Sequence, residues 1–153
     1  MSGSQVQNLI AGLEKLPAYE GLVFRACPDG AEFVRDGQVA VARGLVSATK
    51  REGALAQSPD VYAIASRNGR DVSLFSAARE EQEVVFLPGT TFALWHSFDV
   101  DGRTVRAVFE IAPDEKVGPE QTAALERDAR ERLTAAAPVS IRIDRFTGDL
   151  ATA

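Results

Sequence analysis

Glu80-Glu81-Gln82-Glu83-Val84-Val85-Phe86-Leu87-Pro88-Gly89-Thr90-Thr91-Phe92 sets carboxylates at the head of an apolar run that a Pro-Gly pair then closes. Side chains alternate along a strand, so Glu81 and Glu83 are expected on one side, about 6.6 Å apart from two steps of strand rise, with Gln82 opposite. Val84 to Leu87 is apolar on both faces, the pattern of a strand enclosed in a protein interior. An acidic pair at the start of a strand is by itself ordinary and usually solvated. What gives this one chemical meaning lies upstream.

The chain of 153 residues is long enough for one domain, 1–153, that buries a core without staples. Its 45% hydrophobic and 25% charged residues are ordinary for a soluble globular protein. A net charge of -5 argues against a nucleic-acid partner held through phosphate contacts. Cys27 is the single cysteine, which excludes an internal disulfide, and with one histidine a Cys/His zinc site is excluded too, so no metal is expected. No apolar stretch approaches the length of a membrane span, and Met1 to Asn8 lacks the basic and apolar regions of a signal peptide. The expectation is a soluble protein without a signal peptide, cytoplasmic or delivered by a dedicated secretion route.

Val6, Leu9, Ile10, Leu13 and Leu16 recur at helical spacing, with Ser4 as a possible N-cap and Pro17 as the stop. Gly21 to Ala26 reads as a short apolar strand carrying Arg25 near its end, turned by Cys27-Pro28-Asp29-Gly30. Ala31 to Ala42 is irregular or weakly extended, Gly44 to Thr49 is a strand that passes from apolar to hydroxylic, and Lys50 to Gln57 has room for a helical turn or two. Val61 to Ala65 and Val72 to Phe75 read as strands about an Asn68-Gly69 turn, and Phe92–Phe98 and Thr104–Ile111 as a hairpin about Asp101-Gly102. Gly118-Pro119-Glu120 opens a charged helix to about Ala136, with Leu125, Ala129 and Leu133 on one face, and Val139, Ile141 and Ile143 alternate as a last strand. The fold class expected is α+β, β-rich, with a helix near each end.

An apolar strand ending in Arg25, a hydroxyl-bearing strand at Ser47 to Thr49, and the Glu81/Glu83 strand follow one another in that order. With Val23-Phe24-Arg25, Gly44-Leu45-Val46-Ser47-Ala48-Thr49 and Glu81 through Phe92, the chain resembles the mono-ADP-ribosyltransferases of the R-S-E class, bacterial toxins and ecto-enzymes that split nicotinamide from NAD and pass ADP-ribose to a target. The Glu-x-Glu strand leading to Pro-Gly-Thr-x-Phe is the most specific piece. The resemblance implies a core of two packed sheets around an NAD cleft, with NAD as ADP-ribose donor substrate and a protein acceptor, arginine-directed by the Glu-x-Glu form. An inhibitory or immunity partner in the producing cell also fits proteins of this kind.

Breaking the nicotinamide–ribose bond develops positive charge on the sugar, an oxocarbenium-like state that a neighbouring carboxylate stabilises. The resemblance assigns that role to Glu83 and gives Glu81 the orientation or deprotonation of the nucleophile. Arg25 would grip the pyrophosphate with its fork of N–H donors, and the backbone of Ala26 would meet the nicotinamide amide. Ser47 and Thr49 would hold Arg25 and Glu83 through their hydroxyls, and Ser76 would open a target-contacting loop from Ala77 to Glu80. Two departures stand out: Ala26 where relatives carry glycine, and Ala48 where the pattern has a middle hydroxyl. Two rival functions remain: NAD hydrolysis with water as acceptor, and an inactive copy of the fold used for binding. Cys27, Trp95 and His96 receive no role.

Overall fold

The computed structural model describes residues 3–27, 39–51, 60–73, 75 and 81–135. The expected last strand at 139–143, the turn at 28–30, the loop at 76–80 and nearly all of the segment 50–57 lie outside them.

Helix α1 (Gly3–Glu14) is followed by strands β1 (Ala18–Cys27), β2 (Val39–Val41), β3 (Val46–Thr49), β4 (Asp60–Asp71), β5 (Glu83–Phe86), β6 (Thr91–Val100) and β7 (Arg103–Ile111), and by helix α2 (Pro119–Ala135). The α+β class with a helix near each end is as expected. Hydrogen bonds link the strands in the order β1-β3-β5-β4-β7-β6-β2, and β4 pairs with β1 as well. β4 is therefore the hub. It runs antiparallel to β1, parallel to β7 from Asp60 to Ala65, and antiparallel to β5 at Arg70 and Asp71. Strands β1, β3, β5 and β4 thus close on one another.

Alternation along these strands sends side chains to two cores. Leu22, Phe24, Val61, Ala63, Phe98, Val105, Ala107 and Phe109 pack with Leu125, Ala129 and Leu133, the face of α2 that its spacing predicts. Val23, Ala48, Tyr62, Ile64, Val84, Phe86, Phe92 and Val108 form the other core. All four residues of β5 are buried, as the two-faced apolar run requires. No described helix is long and apolar enough to cross a membrane.

Both glycine turns bounding the apolar run and the hairpin behave as their sequences predict. Leu87-Pro88-Gly89-Thr90 closes with Thr90 N–H donating to the Leu87 carbonyl at 3.2 Å, and Gly89 at φ 90 takes the turn position that needs positive φ. Asp101 (φ 49) and Gly102 (φ 82) form the two-residue β6–β7 turn, whose twist matches the strands it joins.

Asn68-Gly69 is a different case. β4 runs straight through it, and the described residues Val72, Ser73 and Phe75 are not in a strand: Phe75 N–H turns back to the Val72 carbonyl at 3.0 Å. Buried Glu110 explains this. Its carboxylate accepts from the Arg67 and Asn68 amides at 2.7 and 2.8 Å and from Asn68 Nδ2 at 3.0 Å. These bonds give Asn68 tertiary partners in place of a hairpin. Gly69 serves close packing: a Cβ there would stand 2.6 Å from Val84 Cγ1 and 3.0 Å from Phe86 Cε1. Gly69→Ala is expected to destabilise by about 1–3 kcal/mol, the usual cost of overpacking. Gly44→Ala, where a Cβ meets nothing within 4 Å, is the control in the same denaturation series.

Candidate active site

The site forms where β3, β5 and the end of β4 meet α1. Pairing sets Ser47 opposite Val85 and Thr49 opposite Glu83. Directly opposed residues share a face, so Ser47, Thr49, Glu83 and Val85 lie together while Ala48 and Val84 point into the second core. On the shared face Ser47, Glu83 and Val85 line a cavity of about 470 Å³ with Leu9, Leu13 and Leu16 of the α1 segment, Leu45, Val72 and Phe75. One carboxylate and one hydroxyl thus face a wall that is otherwise apolar. Phe75 stands 70% exposed at its rim.

Arg25 of β1 reaches the main chain of β3 and is not among the residues that line the cavity. It is buried, and its Nη1 donates to the Ser47 main-chain carbonyl at 2.6 Å. β1 and β3 are bridged once, at Phe24 and Thr49, so the guanidinium spans the seam beyond that bridge. Ser47 thus holds Arg25 through its main-chain carbonyl. Ala26 is buried in the α2-side core, its strand in register with Val61.

The expectation that Glu81 and Glu83 alternate along one strand does not hold. β5 begins at Glu83, and Gln82 adopts φ 50, a left-handed conformation that breaks alternation. The cause is the end of β3. Thr49 Oγ1 donates to the Glu81 carbonyl at 2.6 Å, and Lys50 N–H donates to the Gln82 carbonyl at 3.0 Å. Val72 N–H takes the Glu83 carbonyl from the other side at 3.1 Å. Glu81 and Glu83 are both 6% exposed, although a turn carries one and a strand the other.

Around this turn stands a set of residues that the sequence does not flag. Lys50 Nζ lies 2.8 Å from Asp71 Oδ2 and over the Tyr19 ring, and Asp71 Oδ1 accepts from the Ser73 amide and hydroxyl. Arg132 of α2 donates to the carbonyls of Leu22 and Lys50 at 3.2 and 2.8 Å, with its guanidinium over the Phe24 ring. Only the basic residue in the last turn of α2 hints at the latter. His96, given no role, sits 3.3 Å from Glu126 on α2, away from the cavity lining. Among the described residues no group of three or more His, Cys, Asp or Glu side chains could hold a metal ion.

Partial burial pushes the Asp71 carboxyl up, but the Lys50 ammonium and the two Ser73 bonds outweigh it and leave the pKa below its ordinary 3.8. A depressed folded pKa contributes stability that is fully present above the unfolded value and lost as pH falls through the folded one. Asp71→Asn should therefore narrow its stability deficit against wild type as pH drops below about 4, by ~1 kcal/mol or less for so solvated a pair, in denaturant titrations across that range. Arg132→Ala, which removes two charged-donor bonds and a ring contact, should cost about 2–3 kcal/mol by the same measurement at neutral pH.

Comparison with known proteins bears on the fold and the sequence as a whole. No family model matches the chain. A Mycobacterium avium (strain 104) protein named as an NAD(+)–arginine ADP-ribosyltransferase, Mav, is 34% identical over 116 residues, 71% of this chain. The chain spans 14% of that relative's length. Among solved structures, the type III effector XopAI of Xanthomonas axonopodis pv. citri is 26% identical over 70% of this chain and 52% of its own, with a TM-score of 0.57. Exoenzyme S of Pseudomonas aeruginosa, solved with human 14-3-3 protein beta and carba-NAD, is 24% identical over 82% of this chain and 69% of its own, at 0.60. In sequence and in fold the chain resembles the mono-ADP-ribosyltransferases of bacterial toxins and effectors, and its β-rich body with flanking helices is an ADP-ribosyltransferase fold.

Proposed function

We propose that the chain is an NAD-dependent mono-ADP-ribosyltransferase unit, toxin- or effector-like, that passes ADP-ribose to an arginine side chain of a protein acceptor. One observation carries the reading: Glu83 and Ser47 face one mostly apolar cavity, with Arg25 pinned to the main chain of Ser47. The named activity of the Mycobacterium avium relative supports the reaction and the arginine acceptor.

The residues present fit the reacting half of NAD. A flat nicotinamide ring suits walls of Leu9, Leu13, Leu16, Leu45 and Val85, and the ribose would meet the polar edge at Ser47 and Glu83. Arg25, its plane fixed by Ser47, would take the pyrophosphate oxygens. As the bond between the ribose C1 and the nicotinamide nitrogen breaks, its electron pair leaves with nicotinamide and neutralises that ring's charge. The positive charge left on the sugar is stabilised by the Glu83 carboxylate, which acts more strongly beside mostly apolar walls than it would in open water. A guanidine nitrogen of the acceptor then supplies the pair that bonds to C1, and its proton passes to Glu81. The leucines of the α1 segment exclude the water that would otherwise take the acceptor's place. In the same reading the unit works as one domain, reaches its target by a dedicated route and is held in check by an inhibitory partner where it is made.

The test is nicotinamide release from NAD by the purified protein, with and without a small guanidine acceptor. Glu83→Gln should lower release about 10²–10³-fold, the usual effect of removing a transition-state stabiliser. Glu81→Gln should spare hydrolysis and remove label from the acceptor. Arg25→Lys should weaken NAD binding, since an ammonium lacks the fork. Release that depends on Glu83 but never labels an acceptor assigns NAD hydrolysis in place of transfer. If wild type and Glu83→Gln are equally silent and NAD does not bind, the reading fails and the fold serves as a binding module.

A further inference from the structure

We propose that the groove between α2 and the start of β1 is a docking site for the protein acceptor, taking a lysine- or arginine-rich segment that carries an apolar anchor; this rests on the transferase reading above. Two hollows make up the groove. The wider, of about 430 Å³, has an apolar floor of Leu22, Ala65, Phe109 and Leu125 and lies in the size range of sites that enclose a ligand. The narrower, of about 290 Å³, continues it along α2 to Arg132, with Leu22 and Asp128 common to both.

The charges around the groove differ in what they face. Its two cations turn to their own chain: Arg67 is forked onto Glu115, and Arg132 donates to the Leu22 and Lys50 carbonyls. Buried Glu110 is committed to the amides of Arg67 and Asn68. Glu20, Asp128 and Glu131 instead stand exposed on the rim. The ion pairs among the described residues include neither Glu20, whose charge also acts on Arg67, nor Glu131. Asp128 pairs with its exposed chain neighbour Arg127 at 3.9 Å. Asp128 and Glu131 are three apart on α2, so like charges are neighbours there, and a bound cation relieves the repulsion.

This pattern selects the occupant. Nucleic acid or an anionic membrane surface would meet three carboxylates with no cation free to receive it. A lysine or arginine fits, its methylene stem on the apolar floor and its head at the rim. The place of the groove then points to the acceptor. Its narrow end reaches Arg132, whose bond to the Lys50 carbonyl lies beside the Lys50 amide that holds the Gln82 carbonyl. A segment leaving the groove there comes to the corner next to Glu81. The catalytic cavity, one carboxylate among apolar walls, offers little to tell one acceptor protein from another, and a second foothold supplies that difference.

The probe is a fluorescent peptide of lysines around one leucine, free of arginine so that it is not itself modified, and its binding is read by anisotropy. Asp128→Lys combined with Glu131→Lys should weaken binding about tenfold and flatten its salt dependence, as loss of rim charges does. Ala124→Leu fills the groove without altering charge and should weaken binding too, whereas Asp114→Lys, exposed and outside the lining, should not. In transfer assays an arginine peptide extended by the same lysine–leucine segment should have a KM about tenfold below that of the unextended peptide. The double variant should erase that advantage while transfer to a small guanidine acceptor keeps its rate.

Probe binding that the double variant leaves unchanged, or that Asp114→Lys weakens as much, would overturn the docking site. Spermine binding as tightly as the peptide would also overturn it, by giving the groove to free polyamines. Probe binding without a KM gain would overturn the acceptor's place in it. Wild type that cleaves no NAD would overturn the transferase reading, a result that the binding measurement keeps separate from failure of the groove.

Discussion

Three consecutive main-chain carbonyls, those of Glu81, Gln82 and Glu83, each have a donor from a different source: the Thr49 hydroxyl, the Lys50 amide and the Val72 amide. A buried carbonyl left without a partner is costly, so these bonds decide the path of the chain through the site. They also decide which side chains reach the cavity. Because Gln82 is held left-handed, Glu81 is not obliged to follow strand alternation, and the strand that carries Glu83 starts where β3 can pair with it. The candidate chemistry depends on the separate placement of two carboxylates, and that placement is a matter of backbone hydrogen bonding before it is one of side chains.

The donors are themselves held from outside. Lys50 is tied by its ammonium to Asp71, at the end of the hub strand, and by its carbonyl to Arg132 of α2. Arg132 in turn lies on Phe24, one residue before Arg25. The C-terminal helix, which contributes nothing to the cavity lining, therefore braces both the arginine strand and the corner that fixes Glu81. The α1 segment acts on the opposite side of the same region. Its leucines wall the cavity, and its end is fastened to β4 by Arg70 on the Leu16 carbonyl and by the Asp71 amide on the Pro17 carbonyl. Asp71 thus ties the site to both helices, directly to the α1 end and through Lys50 to α2.

Features of short range were legible in the sequence. Val84 to Phe86 read as an enclosed strand, Asp101-Gly102 as a hairpin turn, and Pro119 with Leu125, Ala129 and Leu133 as a helix with one core face, and each of these is decided by residues close along the chain. What failed was decided at a distance. Asn68-Gly69 has the composition of a turn, yet Glu110, more than forty residues away, takes its amides and makes the glycine a packing residue. The Glu81/Glu83 pair has the spacing of a strand, yet Thr49 and Lys50 break the alternation from thirty-two positions upstream. No periodicity announces Asp71 or Arg132, because a tertiary tie between single side chains leaves no repeat to read. Local signals dominate only where no buried polar group from elsewhere competes for the backbone.

The two departures from the R-S-E pattern can be weighed on the same grounds. Ala48, where the pattern has a hydroxyl, is fully buried and points into the core of Val84, Phe86 and Tyr62, on the face away from Ser47 and Thr49. A hydroxyl there would need a partner inside an apolar cluster, and its loss removes that need without touching the cavity. Ala26, where relatives carry glycine, likewise places its methyl in the α2-side core beside Val61 and keeps an ordinary strand conformation, paired to β4. A contact made through its main chain toward nicotinamide requires only that the backbone be accessible from the β3 side, where β1 and β3 part after the Phe24 bridge. Ala48 is accommodated on the face opposite Ser47 and Glu83, and Ala26 within the α2-side core. The groups that the proposed chemistry uses, Arg25, Ser47, Thr49, Glu81 and Glu83, are those that the main chain holds together.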